Sequence, residues 1–308
     1  MRITHFNNTA GVATTLAKFQ RRMGHTAKVL VREPHPYGYP GELVYEANRS
    51  RLRHALWEIT ASNVIHFHDQ LYLRRSSKWR TSLLEKLDYR TAKLMNKRMV
   101  FHFHGSSVRD SRERSKSSQF FGERILVSMP DILNLVPKGA SWVPHPVDLE
   151  LFYPNRKEEP GSVKVGFYNP QNEWGQLRET PRQTSQIIHS MPGKKFQESP
   201  ATNIPWKRMP EYFNGIDIWV DKMNFDFYGV SACEAAACGV PVVAHIGAEE
   251  MSLVPDCQFL NTDYVKLGDT LEYLSEENTR KYIGQRCKEF VCRFHAASRI
   301  CDIVQQAY

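Results

Sequence analysis

The chain of 308 residues contains no apolar run approaching the roughly 20 residues that span a bilayer. Its start, Met1-Arg2-Ile3-Thr4-His5-Phe6, lacks an apolar core and a small-residue cleavage site, so it does not read as a secretory signal. Its six cysteines, Cys233, Cys238, Cys257, Cys287, Cys292 and Cys301, all fall in the last quarter, and no two have C-x-x-C spacing. That argues against a tight zinc cluster and against a dense disulfide scaffold. Reduced, mostly buried thiols in a cytoplasmic protein are the expectation. No G-x-G-x-x-G follows the first strand, which speaks against a Rossmann dehydrogenase. There is no zinc-finger or RNA-recognition motif. With no D-x-D motif in a suitable loop and no histidine cluster with ligand spacing evident, no metal is expected.

What is present has an ordinary globular balance, 41% hydrophobic and 24% charged, in a length that suits one large domain or two ordinary ones. The charge is unevenly spread. Residues 1 to 150 hold 24 Lys and Arg against 13 Asp and Glu, a net +11, whereas the remainder is −3. Between residues 70 and 124 the balance is 14 basic to 5 acidic. An anionic partner for the first half follows, with a solvated basic face as the plain alternative.

Short β-rich runs alternate with helical patterns. Strands are expected at residues 2–6, Ala27–Val31, Asn63–Phe67, Met99–Phe103 and Arg124–Ser128, and helices at Val12–Met23, Leu52–Thr60 and Trp79–Met95. In the last of these Trp79, Leu83, Leu87 and Leu94 recur at helical spacing, as a core face or, less favoured, a membrane-lying one. A turn-rich break at Tyr153–Ser162 separates a first domain, 1–155, from a second, 156–308. The alternation then restarts with strands at Val163–Phe167, Ile216–Val220 and Pro241–Ala244, and helices at Thr184–His189 and Val230–Cys238. From about Lys266 the chain is helical by pattern, a tail with the option of packing back on the first domain. The fold class is α/β, two doubly wound Rossmann-like domains facing a cleft, and the strand carboxyl ends are the default ligand site.

The run Asp226-Phe227-Tyr228-Gly229-Val230-Ser231-Ala232-Cys233-Glu234-Ala235-Ala236-Ala237-Cys238-Gly239-Val240-Pro241-Val242-Val243-Ala244 carries the most chemistry. A strand leads into a loop with Gly229, and a helix of small residues begins at once. Free amides and the positive dipole end at such a start suit a phosphate. Glu234, about a turn inside, suits a ligand's hydroxyls. An ordinary α/β crossover has the same features.

This run resembles the acidic signature of retaining GT-B glycosyltransferases of family four, in which two acids are separated by seven residues, as Asp226 and Glu234 are. The resemblance implies a nucleoside-diphosphate sugar as donor substrate, no other cofactor and no metal. It implies Glu234 as the ribose ligand, Asp226 (one methylene shorter than the usual Glu) at the donor sugar, and amides from Phe227, Tyr228, Gly229 and Val230 at sugar and phosphate. Asn7–Gly11 resembles the loop that approaches the diphosphate, which puts Gly11 there. Met99–Gly105 resembles the strand ending in His-Gly, which makes His104 the donor-sugar histidine and, with Asp226, the catalytic candidate. Val143–Phe152 resembles the segment before the linker, with His145 and Pro146 departing from it.

The family's Arg and Lys at the diphosphate are missing from the run Gly166–Gly175, so Arg178, Lys222, a first-domain Arg or helix amides are the candidates to replace them. The expected reaction is sugar transfer, with retention, to a hydroxyl of an anionic acceptor: a lipid phosphate, a phosphorylated small molecule or nucleic acid. A lipid acceptor brings peripheral membrane contact through the basic first domain. Two alternatives stay open, a phage-type glucosyltransferase acting on modified DNA bases and a GT-B protein that binds without turnover.

Overall fold

The computed structural model describes residues 1–32, 34–41, 48–69, 71, 86–109, 114, 120, 122–156, 161–169 and 179–308. Its contacts divide the chain into one unit of Met1–Pro146 with Ala297–Tyr308, and another of Val147–Ala296.

The first unit is built on six parallel strands: β1 (Arg2–Phe6), β2 (Thr26–Leu30), β3 (Val64–His68), β4 (Arg98–Phe103), β5 (Arg124–Val127) and β6 (Ser141–Trp142). Their order is β2-β1-β3-β4-β5-β6. Helices α1 (Val12–Arg22), α2 (Asn48–Ala61), α3 (Leu87–Leu94) and the single turn α4 (Ser106–Arg109) lie between them in sequence. Because side chains alternate along a strand, Ile3, Val64, Val100 and Leu126 share one face. α1 covers it with Val12, Ala13, Leu16 and Ala17, and the C-terminal helix (Ala297–Gln305) with Ile300, Cys301 and Val304. The opposite face carries a row of stacked rings, Phe6 on Phe67 at 5.4 Å, Phe67 on Phe101 at 4.9 Å and Phe101 on Phe120 at 4.4 Å between centroids.

The second unit has five parallel strands, β7 (Val163–Tyr168), β8 (Phe196–Ala201), β9 (Ile218–Val220), β10 (Val242–Ala244) and β11 (Leu260–Asn261), in the order β11-β10-β9-β7-β8. Its helices are α5 (Glu179–Ser190), α6 (Met209–Asn214), α7 (Val230–Ala237), α8 (Ala248–Leu253), α9 (Leu267–Tyr273) and α10 (Glu277–Phe294); α11 is the C-terminal Ala297–Gln305 of the first unit. Two parallel doubly wound sheets with interleaved helices are thus the architecture. β8 is absent from the sequence reading because it contains Pro200; as the edge strand of its sheet it tolerates a residue with no amide to donate.

One helical expectation changes. Of the span Trp79–Met95, α3 holds only Leu87–Leu94, and Trp79 and Leu83 lie outside the described residues. Leu94 is 89% exposed, while Asp88 and Ala92, one turn apart, are the buried pair. Of the two described positions of that spacing, Leu87 is partly buried and Leu94 is off the buried face, because α3 ends there and rests on the small Ala92. No helix among the described residues is long and apolar enough to cross a membrane.

Candidate functional site

In the second sheet the strand order reverses between β7 and β9, and ligands of open α/β sheets bind at the strand carboxyl ends beside such a reversal. β7 ends there on Tyr168, and β9 runs out into Asp221 and Lys222. The Lys222 Nζ stands 4.7 Å from the centre of the Tyr168 ring, bringing a cation to the reversal. Asp221 is fully buried, and its Oδ2 accepts the Gly229 amide at 2.7 Å. Burial raises its carboxyl above the ordinary range, while that amide and Lys222 act the other way. Asp221 therefore ties the loop before α7 to the end of β9.

α7 begins directly after Gly229, with no side-chain cap. Every residue from Ala232 to Ala237 is buried. The small side chains permit this: a Cβ placed on Gly284 of α10 would lie 2.1 Å from the Gly239 carbonyl oxygen that follows α7. Glu234 is 6% exposed and accepts the Trp206 indole N–H through Oε1 at 2.9 Å. Burial pushes its carboxyl up to about 8, against the pull of the indole hydrogen bond. Phe227 and Tyr228 are buried with ring centroids 4.0 Å apart, and the Tyr228 hydroxyl is 2.9 Å from His295 Nε2. Asp226 is exposed; its carboxylate lies 3.4 Å from His245 Nε2 and its carbonyl accepts the Gly247 amide at 2.9 Å. The stretch from Asp226 to Glu234 is thus one structural piece, with the first acid in solvent and the second inside.

In the first unit Gly11 and His104 stand at the carboxyl ends of β1 and β4. Gly11 has a left-handed backbone (φ 74°), and so do Asn7 and Ala10 in the same turn and Asp69 after β3. Glycine takes this conformation freely and Asn and Asp tolerate it, so Ala10 is the strained position of the four, and such strain clusters at functional sites. Asp69 joins the two loops, accepting the Thr9 hydroxyl at 2.6 Å and the His104 amide at 2.8 Å. Both His104 ring nitrogens are already engaged, Nε2 at 2.8 Å from His68 Nδ1 and Nδ1 at 2.7 Å from Ser128 Oγ.

Asp69, Asp221 and Trp206 are absent from the sequence reading. An acid directly after a buried strand is the signal for the first two; Trp206 lies 28 residues before its partner and has none. The reading that no histidine cluster exists is corrected by the structure: His5, His66, His68, His102 and His104 meet on one sheet face. The signal was the repeated His-Phe-His of β3 and β4, whose cross-strand neighbours a linear spacing does not show. Arg178 lies outside the described residues, as do residues 70, 72–85, 110–113, 115–119 and 121 of the basic stretch 70–124. A depression of about 840 Å³, lined by Arg156, Lys164, Lys207, Arg208 and Asp217 among others, opens at the amino ends of β7 to β9. It is on the wrong side of the sheet for the site above. The six thiols stand unpaired, Cys233, Cys238, Cys287 and Cys301 buried.

No protein-family model matches the sequence, and no curated protein matches it as a relative. Solved structures do match in shape over the whole chain. A sucrose-phosphate synthase from Thermosynechococcus elongatus superposes with a TM-score of 0.64 at 14% identity, covering 100% of this chain and 98% of its own. The chain has the GT-B fold. A glycotransferase of kitacinnamycin matches this GT-B chain with a TM-score of 0.53 at 11% identity over 99% of it and 98% of the other. A protein described as a UDP-N-acetylglucosamine 2-epimerase from Listeria monocytogenes matches with a TM-score of 0.58 at 8% identity, over 99% and 95%. At these identities the likeness concerns the fold.

Proposed function

We propose that this GT-B chain is a glycosyltransferase that binds a nucleoside-diphosphate sugar in its second unit and transfers the sugar, with retention, to a hydroxyl of an anionic acceptor. The observation that carries the reading is Glu234, a carboxyl buried one turn inside a helix whose start lies at the sheet's reversal point, held by the Trp206 indole. With one oxygen fixed by Trp206, the other serves the ribose hydroxyls. The uncapped start of α7 supplies amides and its dipole to the diphosphate. Lys222, at the ends of β7 and β9, supplies the positive charge for which the family uses an Arg and a Lys. These groups are oriented before the reaction, so negative charge developing on the departing diphosphate meets fixed dipoles. The Asp226–His245 pair closes the sugar end. The anionic acceptor rests on the +11 of the first 150 residues.

The resemblance to the epimerase supports a second reading with the same ligand, in which the nucleotide sugar is isomerised rather than transferred. Incubating the protein with a panel of UDP-, GDP- and ADP-sugars and phosphorylated acceptors separates the two. Free nucleoside diphosphate together with an α-configured glycoside is the expected product. An epimerised nucleotide sugar without release of the diphosphate contradicts transfer.

A further inference from the structure

The pattern His5-Phe6, His66-Phe67-His68, His102-Phe103-His104 lies on three adjacent parallel strands in matched register, His5 beside His66 and His68 beside His102. Alternation along each strand sends the phenylalanines to one face and all five imidazoles to the other. There the rings lie 4.4–5.5 Å apart between centroids where they neighbour one another. A row of imidazoles in place of the Val and Ile that the sheet uses one step earlier is costly to bury, so it calls for a reason.

The hydrogen bonds form one chain. The Gln20 amide group donates to Tyr308 Oη at 2.8 Å, and its Oε1 is 2.8 Å from His5 Nε2. His5 Nδ1 meets His68 Nε2 at 3.0 Å, His68 Nδ1 meets His104 Nε2 at 2.8 Å, and His104 Nδ1 meets Ser128 Oγ at 2.7 Å. Ser128 Oγ is 2.9 Å from His102 Nε2, and Tyr308 Oη is 2.8 Å from His66 Nδ1. Burial keeps all five rings neutral, leaving each one lone pair. The chain ends on two buried ring nitrogens with no hydrogen-bond partner, His66 Nε2 and His102 Nδ1. A proton relay would lead from one solvent-facing group to another, and this chain does not. Orphaned imidazole nitrogens inside a histidine cluster are instead what a site for a metal ion presents.

We propose that His68, His102 and His104 bind one divalent transition-metal ion of the zinc class. One ring nitrogen from each lies within 4.8 Å of the others. The ligating atoms are the nitrogens not committed outward: His68 Nδ1, His104 Nε2 and His102 Nδ1. Each ligand's second nitrogen is already oriented, His68 by His5 and Gln20 behind it, His104 and His102 by the shared Ser128 hydroxyl. On binding, the proton between His68 and His104 moves across the His104 ring from Nε2 to Nδ1, where it is donated to Ser128. All three ligands stay neutral and no proton is lost. Asp69, which accepts the His104 amide at 2.8 Å, brings a negative charge beside the ion. Three imidazoles favour zinc, cobalt, nickel or copper over magnesium or calcium. A second triad, His5, His66 and His68, shares His68 but is closed on every side. The outer triad ends on His104 at the strand carboxyl edge, the one member of either triad that is not fully buried, and that edge is the side from which an ion would enter and keep an open coordination position. The proposal does not rest on glycosyl transfer.

Titration of chelator-treated, tag-free full-length protein with Co²⁺ tests it, read by the visible absorption of low-coordinate cobalt. The expected result is one equivalent of Co²⁺ per chain in that spectrum, displaced by Zn²⁺, with His102→Gln weakening binding by at least about 10-fold. His66→Gln, which removes a ligand of the inner triad and none of the outer one, is expected to bind nearly as the wild type does. No such spectrum in the wild type overturns the proposal. So does unchanged affinity in His102→Gln, or a loss in His66→Gln as large as that in His102→Gln. If His102→Gln does not fold, Ser128→Ala takes its place: weakened binding supports the site and unchanged binding overturns it.

Discussion

Trp206 donates its indole N–H to Glu234 Oε1 across 2.9 Å, so a residue of a short 3-10 turn holds the one carboxyl buried in the small-residue helix α7. If Glu234 is the ribose ligand, Trp206 is a positioning residue. Trp206→Phe keeps an aromatic ring, though a smaller one, and removes the donor. It is expected to lower stability by about 1 kcal/mol and donor affinity about 5-fold, measured by chemical denaturation and by titration with the donor.

The same carboxyl makes stability depend on pH. Its folded-state pKa, raised by burial to about 8, is above the 4.5 of an exposed Glu. The folded protein therefore holds this proton where the unfolded chain has released it, and stability falls as pH rises from about 4.5 to about 8. Glu234→Gln, a permanent mimic of the protonated form, lacks that slope. Urea denaturation at about pH 5 and about pH 8 is expected to find the variant gaining on the wild type by a few kcal/mol (~1.4 kcal/mol per pKa unit) at the higher pH.

Asp221 anchors the loop that starts α7. Asp221→Ala leaves the Gly229 amide without its acceptor and is expected to cost about 1–3 kcal/mol in denaturation experiments. Asp221→Asn retains an oxygen there and is expected to cost less.

Gly284→Ala tests how closely α10 packs beside the site. In an unconstrained helix the change gains about 1 kcal/mol through helix propensity. Here the new Cβ would sit 2.1 Å from the Gly239 carbonyl oxygen, which is backbone and yields little. A net loss of about 1–3 kcal/mol is expected, so the sign of the change in denaturation midpoint decides.

Much of this architecture is legible in the sequence because each strand is a short apolar run with a single register choice, as at Val163–Tyr168 and Val242–Ala244. The sequence also marks Asp226 to Glu234 as one segment, since its two acids, glycine and small residues are contiguous. Contacts between distant segments are not legible. The Trp206–Glu234 bond joins separate elements, and Thr9 and His104 reach Asp69 only because β1, β3 and β4 stand side by side. The imidazole row is half-legible: His-Phe-His reads as one polar face per strand, but only the register puts His68 beside His102. For Leu94, exposed at the end of a short helix, the apolar period pointed the wrong way.

The central claim is that α7 and Glu234 form the seat of a nucleotide-sugar donor. Calorimetric titration of the wild type and Glu234→Ala with UDP-, GDP- and ADP-sugars tests it most directly, with circular dichroism to establish that both are folded. The account predicts that one of these donors binds the wild type at one per chain and that Glu234→Ala weakens it by more than about 10-fold, about 1.4 kcal/mol. Binding of equal strength to both proteins, or no binding of any donor to the folded wild type, would contradict it.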